Sequence, residues 1–488
     1  MILLVPIILA VIFAAASVLV WRSPSARAAR TRSVAVAVIG ASVAAAALLA
    51  PALLPTLGFV LAPSGVLMIA PLVTALVALI ALGIAPLTTH GAATFARVLL
   101  LFGFAEAFLA TDHPLVLALL WAASSGVAWV ELRARRPLQG WQRVFGVYQL
   151  LSLVCFAAGA LLIWRGDSPS TAAVVLLVGV AIRAGMVPVH SWFPRFVENA
   201  PMAIVVAFVA PQLGVYAQLQ LLDLSGLGDI AGVVAAFGAV TAVLGAMLGV
   251  VQVRARRALG YLILSQTGLV IFGLESHTSV GLTGALLSWQ VLAIATSGFA
   301  MALAALEARR GPMTLLIPQG DFGQTPKLGI AFLVLGFASV GFPLTLGFVA
   351  EDLLVQGTVE QFPVLGLSLV VATAFNGITV LRAFFYLFTG ARRPQGEPDL
   401  SRREGYVFGF AMAALLVFGL VPRPLVSYES PSIARAVEIP SGGGERAAAP
   451  AGAHSGVLPS VDTHAPGTRA SVGARARAAQ PQAGALQK

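Results

Sequence analysis

Residues 181–221 read AIRAGMVPVHSWFPRFVENAPMAIVVAFVAPQLGVYAQLQL. An apolar run carries Arg183 within it and meets Gly185 and Pro188 before His190. A second apolar run starts near residue 202 and carries Gln212 beside Pro211. A membrane-spanning helix needs about 20 mostly apolar residues. Glycine and proline inside such a helix release backbone groups that protein or water must satisfy again. Broken helices of this kind line ion and substrate pathways. The stretch therefore reads as two membrane crossings, the first interrupted, with a cation close to the break.

Outward from this pair the same grammar repeats. Apolar runs fall at 2–21, 34–53, 64–85, 93–110, 114–131, 145–164, 172–190, 202–223, 228–252, 258–275, 281–305, 328–350, 363–390 and 405–422. The expected fold is an all-α integral membrane protein of about 14 transmembrane helices. Two are expected to be discontinuous: the seventh, and the twelfth at Gly341, Pro343 and Gly347. The first run lacks a basic leader, and arginines follow it, so it reads as a retained helix and not a signal peptide. Only 10% of the residues are charged and 58% are hydrophobic, against roughly 25% charged in a soluble chain. The bilayer is thus the first partner.

The connections carry an alternating charge pattern. Arg22, Arg27, Arg30 and Arg32 follow span one, and Arg133, Arg135, Arg136 and Arg143 follow span five. Arg254, Arg256 and Arg257 follow span nine, Arg309, Arg310 and Lys327 span eleven, and Arg392, Arg393, Arg402 and Arg403 span thirteen. Even-numbered connections are nearly bare, Arg165 excepted. Arginine and lysine collect in cytoplasmic loops, which puts both termini on the non-cytoplasmic side of the cell's inner (plasma) membrane. A net charge of +10 spread in this way is no nucleic-acid surface, because no basic domain with interleaved aromatics is present. From residue 426 to 488 the chain turns rich in Ala, Gly, Pro and Ser and reads as a disordered tail. The expected organisation is N-terminal helices over 1–60, a membrane core over 61–425 and that tail.

Charges inside a bilayer core are a functional hypothesis by default. The candidates for a proton or ion pathway are Glu351, Arg183, His190, Glu106, Gln212, Asp352 and Arg382. Glu351 and Asp352 follow the glycine–proline break, at the end of span twelve; the carboxylate of Glu351 is expected to face a hydrated half-channel, and Asp352 to cap a helix end. Arginine holds its proton at physiological pH, so Arg183 can anchor a carboxylate but cannot relay. The competing reading of Arg183 is a structural ion pair with Glu198 or Glu106. Glu106 also reads as a side chain snorkelling to an interface, and His190 as a hydrogen-bonded residue at the span-seven break. Cys155, the only cysteine, excludes an internal disulfide and reads as packing. There is no phosphate-binding loop, no histidine pair at metal-ligand spacing and no nucleophile elbow. No catalytic site and no cofactor are expected.

The quoted stretch resembles the signature of the antiporter-like subunits of respiratory complex I and the Mrp antiporters. The matching residues are Pro188, His190, Trp192, Pro194, Glu198, Ala200, Pro201, Gly214 and Tyr216. Segments RARRALGYLILSQTGLVIFGL (254–274), GLTGALLSW (281–289), FASVGFPLTLGFVAEDLL (337–354) and DLSRREGYVFGFAMAALLVFGLVPRPLV (399–426) follow in the family's order. Gly347, Phe348, Val349 and Glu351 resemble the second broken helix of the M-chain type (mitochondrial chain 4). The resemblance covers about 60–425. It implies fourteen helices with inverted repeats of five, proton (or Na+) translocation, and partner subunits in a membrane arm of a NADH:quinone oxidoreductase-like, Mrp-like or hydrogenase-like complex whose redox centres lie elsewhere. Several positions depart from the family. Ala122 follows Trp121 where the family has a glutamate, Arg183 replaces a lysine, and Gln266 replaces a histidine. Span eight offers Gln212 or Val206 for a lysine or histidine, and span eleven is uncharged from Leu292 to Ser297. The alternatives are a non-pumping scaffold, a membrane partner of a soluble zinc protein in inorganic-carbon uptake, and an unrelated secondary transporter with inverted repeats.

Overall fold

The computed structural model describes residues 4–53, 69–135, 140–222, 228–320, 322–390 and 398–426, and among these it consists of helices and loops. The first half runs through α1 (Leu4–Trp21), α2 (Ala26–Leu53), α3 (Ala70–Ile84), α4 (Ala92–Leu109), α5 (Pro114–Ala134) and α6 (Gly140–Arg165). Then come α7 (Pro169–Ala184), α8 (Phe193–Asn199), α9 (Met202–Val209) and α10 (Leu213–Leu221). The second half holds α11 (Asp229–Val250), α12 (Ala255–Leu274), α13 (Ser279–Val291), α14 (Ser297–Arg310), α15 (Pro326–Ser339), α16 (Leu346–Gln361), α17 (Pro363–Phe388) and α18 (Arg402–Leu420). Among the described residues, eleven helices are long and apolar enough to cross a membrane, and three shorter apolar ones (α3, α7 and α15) complete the set. Each of the fourteen predicted spans falls on one helix or one consecutive helix pair. The chain is a multi-pass integral membrane protein. The boundary near residue 60 and the tail from 427 onward lie outside the described residues.

Helices this apolar gain nothing from hydrophobic exclusion within lipid, so close packing holds them together. The α11–α12 contact shows how. A Cβ on Gly245 would come within 2.8 Å of the Ser265 backbone, and one on Gly268 within 2.7 Å of the Ala242 nitrogen. Glycine at these positions lets the two backbones touch.

Both predicted interruptions are present, each fourth in a block of five spans (4–8 and 9–13). α7 ends at Gly185, whose φ of 72° is left-handed. Its N–H reaches the carbonyl of Ile182, and that of Met186 the carbonyl of Ala181, so the terminal carbonyls are satisfied by the chain's own turn. A 3₁₀ turn, His190–Trp192, then leads into α8. The second interruption separates α15 from α16. Gly341 (φ 68°) and Leu344 (φ 73°) are both left-handed, with Pro343 between them. Helix restarts at Leu346 and runs to Gln361, eleven residues beyond the expected end at 350. Glu351 therefore sits inside the second half-helix and not at a helix end.

Two further interruptions went unseen in the sequence. Span eight bends between α9 and α10 at Gln212, a non-glycine residue with φ of 45°. Pro211 supplies no N–H there, and Trp289 Nε1 donates to the carbonyl of Ala210 at 3.2 Å. Span eleven contains a π-helical turn, Leu292–Thr296, between α13 and α14.

Candidate functional site

Three consecutive side chains of α12 organise the interior. Successive residues of a helix point about 100° apart, so Ser265, Gln266 and Thr267 reach three different neighbours. The Ser265 hydroxyl donates to Ala242 O at 2.7 Å and accepts from Asn376 Nδ2 of α17 at 2.9 Å. Gln266 accepts from the Thr296 hydroxyl, inside the π turn, at 2.8 Å. Its Nε2 donates to the carbonyl of Ser339, the last residue of α15. Thr267 accepts from Gln212 Nε2, at the bend of span eight, at 3.1 Å. One helix thus ties three interrupted spans together through uncharged polar groups, all of them buried.

Each end of this line meets an ionisable side chain. On one side Gln212, Thr267 and Arg183 share a cavity of about 30 Å³ with Trp121, Phe208 and Ile271, room for about two water molecules. Arg183 Nη1 donates to Ser125 Oγ at 2.8 Å, and Nη2 to Ser124 Oγ at 3.0 Å. Its guanidinium lies 4.5 Å from the Trp121 ring centroid and 4.1 Å from that of Phe208. Trp121 is held flat against Phe156, 4.2 Å between centroids, and its Nε1 donates to Ser152. The expected ion pair with Glu198 or Glu106 does not form. Glu198 is taken by Arg254 and Arg257, and Glu106 has no partner. Ala122 offers no carboxylate, so hydroxyls and aromatic faces hold the cation in its place.

At the other end lies Glu351. With Gln266, Ser288, Leu292, Ser339 and Gly347 it lines a second cavity of about 20 Å³, enough for one water. Its carboxylate rests against the α-carbon of Gly341, where any Cβ would overlap Oε2. Glycine at 341 serves twice: it adopts the left-handed turn and it leaves the acid its place. Gly347 likewise lets α16 approach the carbonyl of Ala338.

The remaining predicted residues divide. Glu106 is fully enclosed in α4, with neither carboxylate oxygen hydrogen-bonded, which corrects the snorkelling reading. The Nδ1 of His190 is buried without a hydrogen-bond partner. Asp352, exposed one position past Glu351, accepts from Gln356 at 2.8 Å and points away from the cavity. Arg382 is a clamp: it donates to the carbonyls of Val250, Gln252 and Leu315 and lies over Tyr386. The axis brings together Arg183, Gln212 and Glu351 and leaves Asp352 and Arg382 outside it. Three buried acids escaped the sequence reading, Glu404 among them, paired with Arg309. Glu131 is 2% exposed and paired with Arg97 and Arg135, and Glu275 follows the last residue of α12. Among the described residues no cluster of three or more His, Cys, Asp or Glu side chains is placed to hold a metal ion.

Residues 146–376 match the family described as NADH:quinone oxidoreductase/Mrp antiporter, transmembrane. NADH-quinone oxidoreductase subunit N 1 of Acidiphilium cryptum is 26% identical over 267 residues, 52% of this chain and 54% of that protein. F(420)H(2) dehydrogenase subunit M of Methanosarcina mazei is 28% identical over 262 residues, 51% of this chain and 52% of that protein. The chain thus spans about half the length of these curated relatives. A chain of respiratory complex I from Thermus thermophilus shares the fold with a TM-score of 0.77 at 20% identity, over 89% of this chain and 99% of that one. The matched segment runs from α6 into α17 and encloses both half-helix breaks and the α12 polar triplet; over that segment the chain is similar to the antiporter-like membrane subunits of complex I and the Mrp antiporters.

Proposed function

We propose that this chain is a proton-translocating membrane-arm subunit of a multi-subunit NADH:quinone oxidoreductase-like or Mrp-like complex in the inner (plasma) membrane, working beside other membrane subunits on protons or Na+. In this reading residues 61–425 form the translocating core. The arginine-rich connections after α1, α5, α11, α14 and α17 face the cytoplasm, and both termini face away. The observation that carries the reading is the polar line Arg183–Gln212–Thr267/Gln266–Thr296/Ser339–Glu351, buried as far as Ser339, with a water-sized space at each end. Glu351 is the group on that line that exchanges a proton. Arg183 fixes a positive potential at the far end. His190 and Glu106 take no step on the line, and Asp352 and Arg382 serve structure.

A second reading has its own support. Gln212, Gln266 and Thr296 do not ionise and Arg183 keeps its proton, so a charge crossing between Arg183 and Glu351 travels on water alone. A scaffold that packs beside pumping paralogues needs the breaks and the hydrogen bonds but no flux. Proteoliposomes holding the full chain separate the two. Translocation is expected to appear as gradient-driven proton flux that falls about ten-fold in Glu351→Gln, equivalent to roughly 1.4 kcal/mol of barrier, and several-fold in Gln266→Leu. A parent chain that conducts no more than empty vesicles establishes the scaffold reading.

A further inference from the structure

Among the described buried acids outside the axis, Glu275 is the one that faces a histidine. It is fully enclosed at the end of α12. Oε1 accepts from Nε2 of Gln218, itself fully buried on α10. Oε2 has no hydrogen-bond partner and faces Nε2 of His277 at 3.8 Å. The His277 side chain is 25% exposed, so its ring stands between the enclosed acid and the surface of the protein.

The backbone holds that ring in place against local preference. His277 has φ of 52°, a left-handed conformation that costs a non-glycine residue about 1–2 kcal/mol. Thr278 caps α13 by accepting from the N–H of Gly281 at 3.0 Å. A Cβ on Gly281 would overlap Ser276 Oγ, and one on Gly357 would overlap the backbone of Gly281. The loop is wedged against α16.

Glu275 also connects to the axis. Gln212–Thr267 and Gln218–Glu275 are two polar rungs between the same helices, α10 and α12. Six residues separate the glutamines, roughly 9 Å along a helix. Gln218 lines an apolar groove of about 530 Å³, and that groove shares two wall residues, Val180 and Ile271, with the Arg183 cavity. Both are 3% exposed. These two aliphatic side chains are what separates the Arg183 cavity from the groove that reaches the second rung.

We propose that Gln218, Glu275 and His277 form an exit branch, by which a proton leaves the Arg183 cavity past Ile271, rests on Glu275 and is released through His277 at the arginine-poor face. This rests on the proton-translocation reading above. In the last step the bond from hydrogen to Glu275 Oε2 breaks and one to His277 Nε2 forms, leaving a carboxylate and an imidazolium. The imidazolium then gives its proton to solvent, and no electron changes hands. The ring has to approach by about 1 Å to reach hydrogen-bond distance.

The test is proton flux through the full chain in proteoliposomes, with thermal stability measured beside it. Glu275→Gln keeps an oxygen to accept from Gln218 and removes the titrating group. It is expected to lower flux at least ten-fold while Tm stays within about 2 °C. Ile271→Ala is expected to raise flux about three-fold, and Ile271→Trp to suppress it, without any change at Glu275. Normal parental flux with Glu275→Gln and both Ile271 variants unchanged overturns the exit branch and leaves translocation standing. Absence of flux in the parent itself overturns both.

Discussion

Glu351 and Gly341 show how much one missing side chain decides. The acid occupies the place where a Cβ of residue 341 would lie, and Gly341 also holds a left-handed φ. Gly341→Ala meets both obstacles. It is expected to destabilise the protein by about 2 kcal/mol, read as a lower Tm in detergent, and to reduce flux further by displacing the carboxylate. An alanine variant with parental Tm refutes this packing. Single residues were unevenly legible. Arg183 and Glu351 stood out because a charge in an apolar run has few ordinary explanations. Gln266, Thr267 and Thr296 did not, because neutral polar residues are common on helices and their partners lie 30 to 73 positions away. Glu131 and Glu275 lie near helix ends, where a carboxylate passes for an interfacial one. Sequence spacing alone also paired Arg183 with the wrong acids, since Glu198 has two arginines of its own at the start of α12.

At the level of elements, glycine–proline punctuation was a sound guide to the breaks after α7 and α15. It under-read span eight, where Pro211 stands beside the bend, and its reach ended at span eleven, where the break uses neither glycine nor proline. The π turn at Leu292–Thr296 lies in an unbroken apolar string and leaves no mark in composition. π turns behave as one-residue insertions in an α-helix. Deleting Ala293 is therefore expected to restore regular helix and to turn Thr296 roughly 100° away from Gln266. Circular dichroism should show unchanged helicity while flux falls about ten-fold. Flux that survives the deletion means the Thr296–Gln266 bond is not part of the route.

Across the whole molecule, the count of crossings was legible because error accumulates. One span missed would have placed every later arginine cluster on the wrong face, yet the fourteen predicted runs coincide with fourteen helices or helix pairs. The proposed orientation rests on the same charges and is open to labelling. The lone cysteine, Cys155, makes a clean background once replaced by alanine. A cysteine at the exposed Asp167 is expected to react with an impermeant maleimide on intact cells, and one at the exposed Pro24 only after the membrane is opened. The reverse pattern inverts the topology and puts the exit at His277 on the cytoplasmic side.

Gln266 and Thr267 make α12 an axle: the first grips the π turn and the α15 terminus, the second the bend of span eight. Axles transmit rotation. A turn of α12 by a few tens of degrees loosens its hold on the bend of span eight, the π turn and the α15 terminus in the same stroke. Because α12 is enclosed by the chain's other helices, a motion that reaches this one helix needs no separate hold on any of the three.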